Sequence, residues 1–262
     1  MSDRPAAPPP VPRPDLTQQE ITAIRDAVGP VPHELARPLR DGRGREFQRL
    51  EFLGDSVLDL LLAVHSVVEP TCRPCREVGG VVARLVTDHQ LARRAAVAGV
   101  GVWLEWEASA ERLADLVEAC AAAAWRSGGW DQVGAFASRV VHPLSRECVL
   151  TVLGRCSSPV APTDSRAERR LGAAVLELAA AQTVFLARPE FDEGELSRQR
   201  ALLHRSERVA AYARRTGAGS ESDVAAELSD RVESQLAAQL LSSGADAALA
   251  TAVTVLAPSG SD

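Results

Sequence analysis

The sequence predicts an all-α fold built from two tandem helical units, and three observations carry this. Apolar residues recur at helical spacing through nearly the whole chain, no stretch alternates with period two, and the opening motif returns further along. With 262 residues, 46% of them apolar, the chain can build two ordinary cores.

The elements follow in order. Residues 1–14 are rich in proline and read as a disordered tail. Proline and charge stand where a signal peptide needs an apolar core, and no segment approaches the roughly 20 apolar residues of a membrane span. A cytoplasmic protein with no membrane partner is expected. Helical spacing then covers 17–28, 46–67, 78–98, 110–126 and 131–143, punctuated by Gly99, Gly101, Gly128 and Gly129. It resumes in the second half, where Gly217, Gly219 and Gly244 are the breaks. The expected units are residues 15–144 and 145–256, with residues 257–262 a second tail. Little room is left for a linker near Leu144 to Cys148, so the halves are expected to pack closely.

The repeat is gap-free over long stretches. "FLGDSVLDLLLAV" matches "RLGAAVLELAAAQ", pairing Gly54 with Gly172 and Leu58 with Leu176 at an offset of 118. The same register carries Leu85 onto Leu203 and Leu91 onto Val209. "LADLVEACAAAAWRSGG" matches "LSDRVESQLAAQLLSSG" at an offset of 115, placing Asp115 over Asp230 and Glu118 over Glu233.

Charge gives the first functional signal. In "REFQRLEFLGDSVLDLLLAV", Glu51, Asp55 and Asp59 fall on one face of an otherwise apolar helix, four residues apart. Buried like charges need compensation. Two readings stand at this point, a stripe facing solvent or a site for a cation. Asp115 and Glu118, spaced i, i+3 on an alanine-rich helix, share a face in the same way. If the two helices pack side by side, four carboxylates converge in an oxygen-only set suited to hard divalent cations. Such cations activate water and stabilise the charge that develops in phosphodiester cleavage.

These motifs resemble those of the ribonuclease III family. "QRLEFLGDSVL" is similar to the signature ERLEFLGDSVL, and "LADLVEACAAAAWRSGG" to LADAFEALIGALYLDGG. "EGELSRQRALLHRSERVAAYARRTG" is similar to EGELTRLRAALVSNxxLAEIARELG, so the resemblance covers nearly all of residues 17–256. It implies two ribonuclease III-like helical domains packed as an intramolecular pseudo-dimer. It also implies that Glu51, Asp55, Asp115 and Glu118 are the catalytic carboxylates and hold Mg²⁺, with Mn²⁺ able to stand in.

The departures are specific. Gln48 replaces the leading glutamate of the signature, and the EGEL element of the first copy reads "REVG", with Glu77 surviving. In the second copy Arg169 and Ala173 stand where Glu51 and Asp55 stand in the first. That half is expected to be catalytically dead, leaving Asp230 and Glu233 as ordinary helix carboxylates. The family's interlocking aromatic is Phe52 in the first copy and Arg170 in the second, which puts the usual symmetric contact in question.

The implied activity is divalent-metal-dependent endonucleolytic cleavage of double-stranded or structured RNA, leaving 5′-phosphate and 3′-hydroxyl ends, with one live centre per chain. A homodimer joining two first copies would restore two centres. The net charge of −6 excludes binding by overall positive potential, so RNA affinity must come from local patches. Gln48, Arg45, Arg49, Arg198 and Arg205 are the expected contacts. No double-stranded RNA-binding segment is expected beyond the second copy, so affinity should fall steeply with salt and follow RNA shape.

The competing reading is a non-catalytic module of the same fold that binds RNA or assists assembly. An acidic quartet among apolar helices opposes it, since apolar replacements would stabilise a pure scaffold. Cys72 and Cys75 form a lone C-x-x-C turned by Pro74, without the second pair of a zinc site. Cys120, Cys148 and Cys156 read as buried thiols. Trp125 and Trp130 could stack bases or pack in the core, and the core is the simpler place for them.

Overall fold

A computed structural model describes residues 15–68, 88–104, 108–141, 146–155 and 165–257. Among these residues the fold is all-α, with eleven helices and no strand. The two terminal tails, Cys72, Cys75, Glu77 and Cys156 lie outside the described residues.

Helix α1 (Gln18–Val28) starts at a capping box, in which the Thr17 side chain accepts from the Glu20 N–H and the Glu20 side chain accepts in return from the Thr17 N–H. Helix α2 (His33–Asp41) lies outside the stretches predicted to be helical, and it carries Pro38 within it, a residue with little helix preference. Burial of Leu35, Ala36 and Leu39 outweighs that local preference. The long α3 (Arg45–Val68) is followed by α4 (Asp88–Val97), which occupies the end of the predicted 78–98 stretch.

The expected helices at 110–126 and 131–143 are one element, α5 (Ala110–Val140), bent where Gly128 and Gly129 leave helical geometry. Gly129 takes φ +61°, which a side chain would resist. A short α6 (Arg146–Val152) leads to the second half: α7 (Ser165–Ala187), α8 (Glu193–Leu203), α9 (Ser206–Arg215), α10 (Ala225–Ser243) and α11 (Ala245–Leu256).

Packing reproduces the sequence repeat. Helix α3 lies against α5 in the first half as α7 lies against α10 in the second, and α3 also packs on α7, so one continuous core runs through both. Helix α7 corrects one expectation: Arg166–Ala187 is long and apolar enough to cross a membrane by length and composition. Its most apolar stretch is 61% buried, and Leu171, Val175, Leu178 and Ala179 lie wholly inside the core. It is the central helix of the second half.

Trp130 is buried and stacks at a tilt against Trp125, with ring centroids 5.6 Å apart, so this pair packs the core. Cys120 and Cys148 are buried thiols whose ionisation burial opposes, and Cys148 Sγ donates to the Leu61 carbonyl at 3.4 Å.

Candidate metal centre

The centre is built where α3 crosses α5. Gly54 makes the crossing close, since a Cβ at this position would overlap the Glu118 carbonyl oxygen. One turn before Gly54 stands Glu51; on the facing helix stand Asp115 and Glu118. The three carboxylates bring one oxygen each to within 4.8 Å of one another, all partly buried.

The group is electrostatically strained. Burial, followed by the charge of Asp115, pushes the Glu51 carboxyl up from 4.5 to about 7. Glu193 at the start of α8 and Asp55 push the same way, and Arg112 opposes them. Arg112 Nη1 donates to Asp115 Oδ2 at 3.3 Å, partly offsetting the cluster's charge.

Asp55 stands apart from this trio. Its carboxylate is exposed, and Oδ2 lies 3.5 Å from Nη1 of Arg200 on α8. The same guanidinium donates to Ser56 Oγ at 2.9 Å, pairs with Glu177 at 3.1 Å and lies 5.0 Å from the Phe52 ring centroid. Phe52 thus meets a cation where the family pattern led us to question an aromatic contact.

Neither reading of the acidic stripe, solvent face or metal site, describes Asp59. Instead it accepts from Arg170 Nη2 at 3.3 Å across the two halves, and burial raises its carboxyl pKa. The expected RNA contact at Arg49 is also corrected. Arg49 is 3% exposed, and its guanidinium donates to the carbonyls of Phe185, Arg188 and Phe191 at 2.7–2.9 Å. Its donors are engaged inside the protein, so it clamps the C-terminal end of α7 and the turn beyond. Burial also lowers its pKa.

Among the other expected RNA contacts, Arg45 is exposed and pairs with Glu46, Gln48 is half-buried, and Arg198 and Arg205 are exposed on the second half.

The equivalent place in the second half is organised without the full acid set. Gly172 makes the same close crossing against the Glu233 carbonyl. Arg169 Nε lies 3.5 Å from Asp230 Oδ2, Ser229 Oγ donates to Glu233 at 3.1 Å, and Ala173 offers no ligand. A guanidinium supplies the positive charge here.

Sequence reading missed Arg112, Glu193 and Arg200 as neighbours of the centre. Spacing of i, i+3 to Asp115 signals Arg112. The other two are brought in by long-range packing, for which no local signal exists.

No family model matches the chain. A protein named Ribonuclease 3 from Symbiobacterium thermophilum is 35% identical over 110 residues, covering 39% of this chain. The chain spans about half the length of this curated relative, 47% of it. The match supports a relationship to the ribonuclease III family.

Proposed function

We propose that the chain is a divalent-metal-dependent endoribonuclease that cleaves double-stranded or structured RNA to 5′-phosphate and 3′-hydroxyl ends. In this reading residues 15–144 carry the working centre and residues 145–256 a degenerate counterpart paired with it. The observation that carries the reading is the convergence of Glu51, Asp115 and Glu118 from two helices that cross at Gly54. Similarity to a Ribonuclease 3 supports the same chemistry.

The donor set fits Mg²⁺ or Mn²⁺. It is all oxygen, carboxylate and partly open to water, whereas a zinc site would favour Cys or His. Glu51, Asp115 and Glu118 would hold the ion, with Asp55 the fourth carboxylate of the set. When bound, the ion supplies an activated water and offsets the charge gathering on the phosphate. The chain's own residues prepare the place: Arg112 orients Asp115, and Glu51 gives up its proton near neutrality. The exposed Arg45, Arg198 and Arg205 supply local positive charge for the RNA backbone.

One observation favours the non-catalytic alternative: Asp55 is engaged by Arg200 rather than gathered with the other three acids. Incubating long double-stranded RNA with the protein and Mg²⁺, beside Glu118→Ala, decides between the two. Metal-dependent cutting absent from the variant is expected. A folded wild type that cuts nothing with Mg²⁺ or Mn²⁺ overturns the enzyme in favour of the binding module.

A further inference from the structure

Two exposed arginines stand over aromatic rings near the first turns of α3. Arg126, on α5 just before its bend, lies over Phe185 with its guanidinium carbon 4.9 Å from the ring centroid, and Arg188 lies over Phe191 at 5.6 Å. Both side chains reach solvent, that of Arg188 with 58% of its surface. The floor beneath them is fixed. Phe185 is 7% exposed, Arg49 lies against the same ring at 4.6 Å, and Arg49 also holds the carbonyls of Phe185, Arg188 and Phe191.

Charge is not balanced here. Arg126 makes no hydrogen bond or ion pair among the described residues, and Arg188 meets Glu190 at a long 3.9 Å. Arg45 and Arg126 both add to the positive field at Arg49, and Glu46 and Glu190 offset part of it. Guanidinium groups at 45, 49, 126 and 188 thus share two carboxylates, in a chain whose net charge is −6. A ring under a guanidinium occupies its face and leaves the N–H groups at its edge for a planar, bidentate acceptor, for which phosphate is well shaped.

The place adjoins the metal centre. Glu193, two residues beyond Phe191, bears on Glu51, and Arg126 follows Glu118 on α5 by eight residues, about 12 Å along the axis. We propose that Arg126 and Arg188 form a phosphate-binding platform that holds the RNA backbone beside that centre. The platform rests on the RNA reading above and gives it a location. Contacts of this kind fix where a duplex sits and carry no base sequence. Because the floor is held by Arg49, little ordering is left to be done on binding.

Binding of a fluorescently labelled RNA duplex in EDTA, read by anisotropy across a salt series, tests the platform with no cleavage in progress. Arg126→Gln and Arg188→Gln should each weaken binding several-fold at low salt and reduce the slope of log affinity against log salt by about one, the double variant by about two. The loss should be the same for duplexes of different sequence. Arg188→Gln keeps the main-chain oxygen that Arg49 holds, and its melting temperature should stay within about 2 °C of wild type. Weaker binding with an unchanged salt slope is what a merely structural role gives, and it overturns the platform. So does a double variant that binds like wild type, or a wild type with no affinity for the duplex. If Arg126→Gln does not fold, Arg188→Gln decides alone. The enzyme reading is judged separately: cutting with Mg²⁺ beside unaltered slopes keeps the enzyme and removes the platform, whereas reduced slopes in a protein that never cuts keep the platform and remove the enzyme.

Discussion

Gly54 meets the backbone of Glu118 so closely that no side chain fits between α3 and α5, and Gly172 meets Glu233 in the same way between α7 and α10. The spacing of the acidic trio depends on that approach, because Glu51 comes from one helix and Asp115 and Glu118 from the other. Gly54→Ala should force the helices apart and lower stability by about 2–4 kcal/mol, measured by urea unfolding. It should also remove the rise in melting temperature on adding Mn²⁺. Gly172→Ala should show a comparable loss of stability and keep the Mn²⁺ effect.

Acidity at Glu51 makes stability depend on pH. With its carboxyl at about 7 in the folded protein and an ordinary value of 4.5, the folded state holds a proton through this window that the unfolded chain has released. Stability without metal therefore falls as pH rises from about 4.5 to about 7. Glu51→Gln should flatten that slope by about 1 kcal/mol, allowing for the group's partial exposure to solvent. With Mn²⁺ present, the metal-linked stabilisation should grow over the same range, since the ligand must be ionised. Melting curves across pH with and without the ion check both.

Arg49 should tolerate no replacement. Arg49→Ala leaves carbonyls of the second half without donors inside a buried contact and should cost about 2–4 kcal/mol in urea unfolding. Arg49→Lys should recover little of this, because an ammonium group cannot span three carbonyls as a planar guanidinium does.

Chemistry should be confined to the first half. Glu118→Gln should reduce RNA cleavage on the order of a hundredfold or more. Asp230→Asn with Glu233→Gln should leave it within about twofold, because Arg169 already occupies the place of a cation in that half. Initial rates on one labelled duplex separate the two outcomes.

Much of this was legible in the sequence because it is local or repeated. Helical spacing announces the all-α fold, the 118-residue register aligns α3 with α7, and the i, i+3 spacing singles out Asp115 and Glu118, two of the three carboxylates that meet. Residues whose partners lie far along the chain were not legible. Asp59 looks like one more acid on a stripe until Arg170 faces it, and Arg49 looks like one more exposed arginine until α7 ends against it. Asp55 shares the spacing of Glu51 yet is drawn towards Arg200, a choice made by packing between halves. Helix α2 was hidden by its prolines, whose local cost the burial of Leu35 and Leu39 overrides.

The clamp of Arg49 has an implication for how the two halves can diverge. It holds main-chain oxygens at 185, 188 and 191, and every amino acid presents the same oxygen. Substitutions at Arg188 or Phe191 that preserve the turn leave the grip intact. At these three positions the side chains of the second half are thus free to change without loosening this clamp on the first.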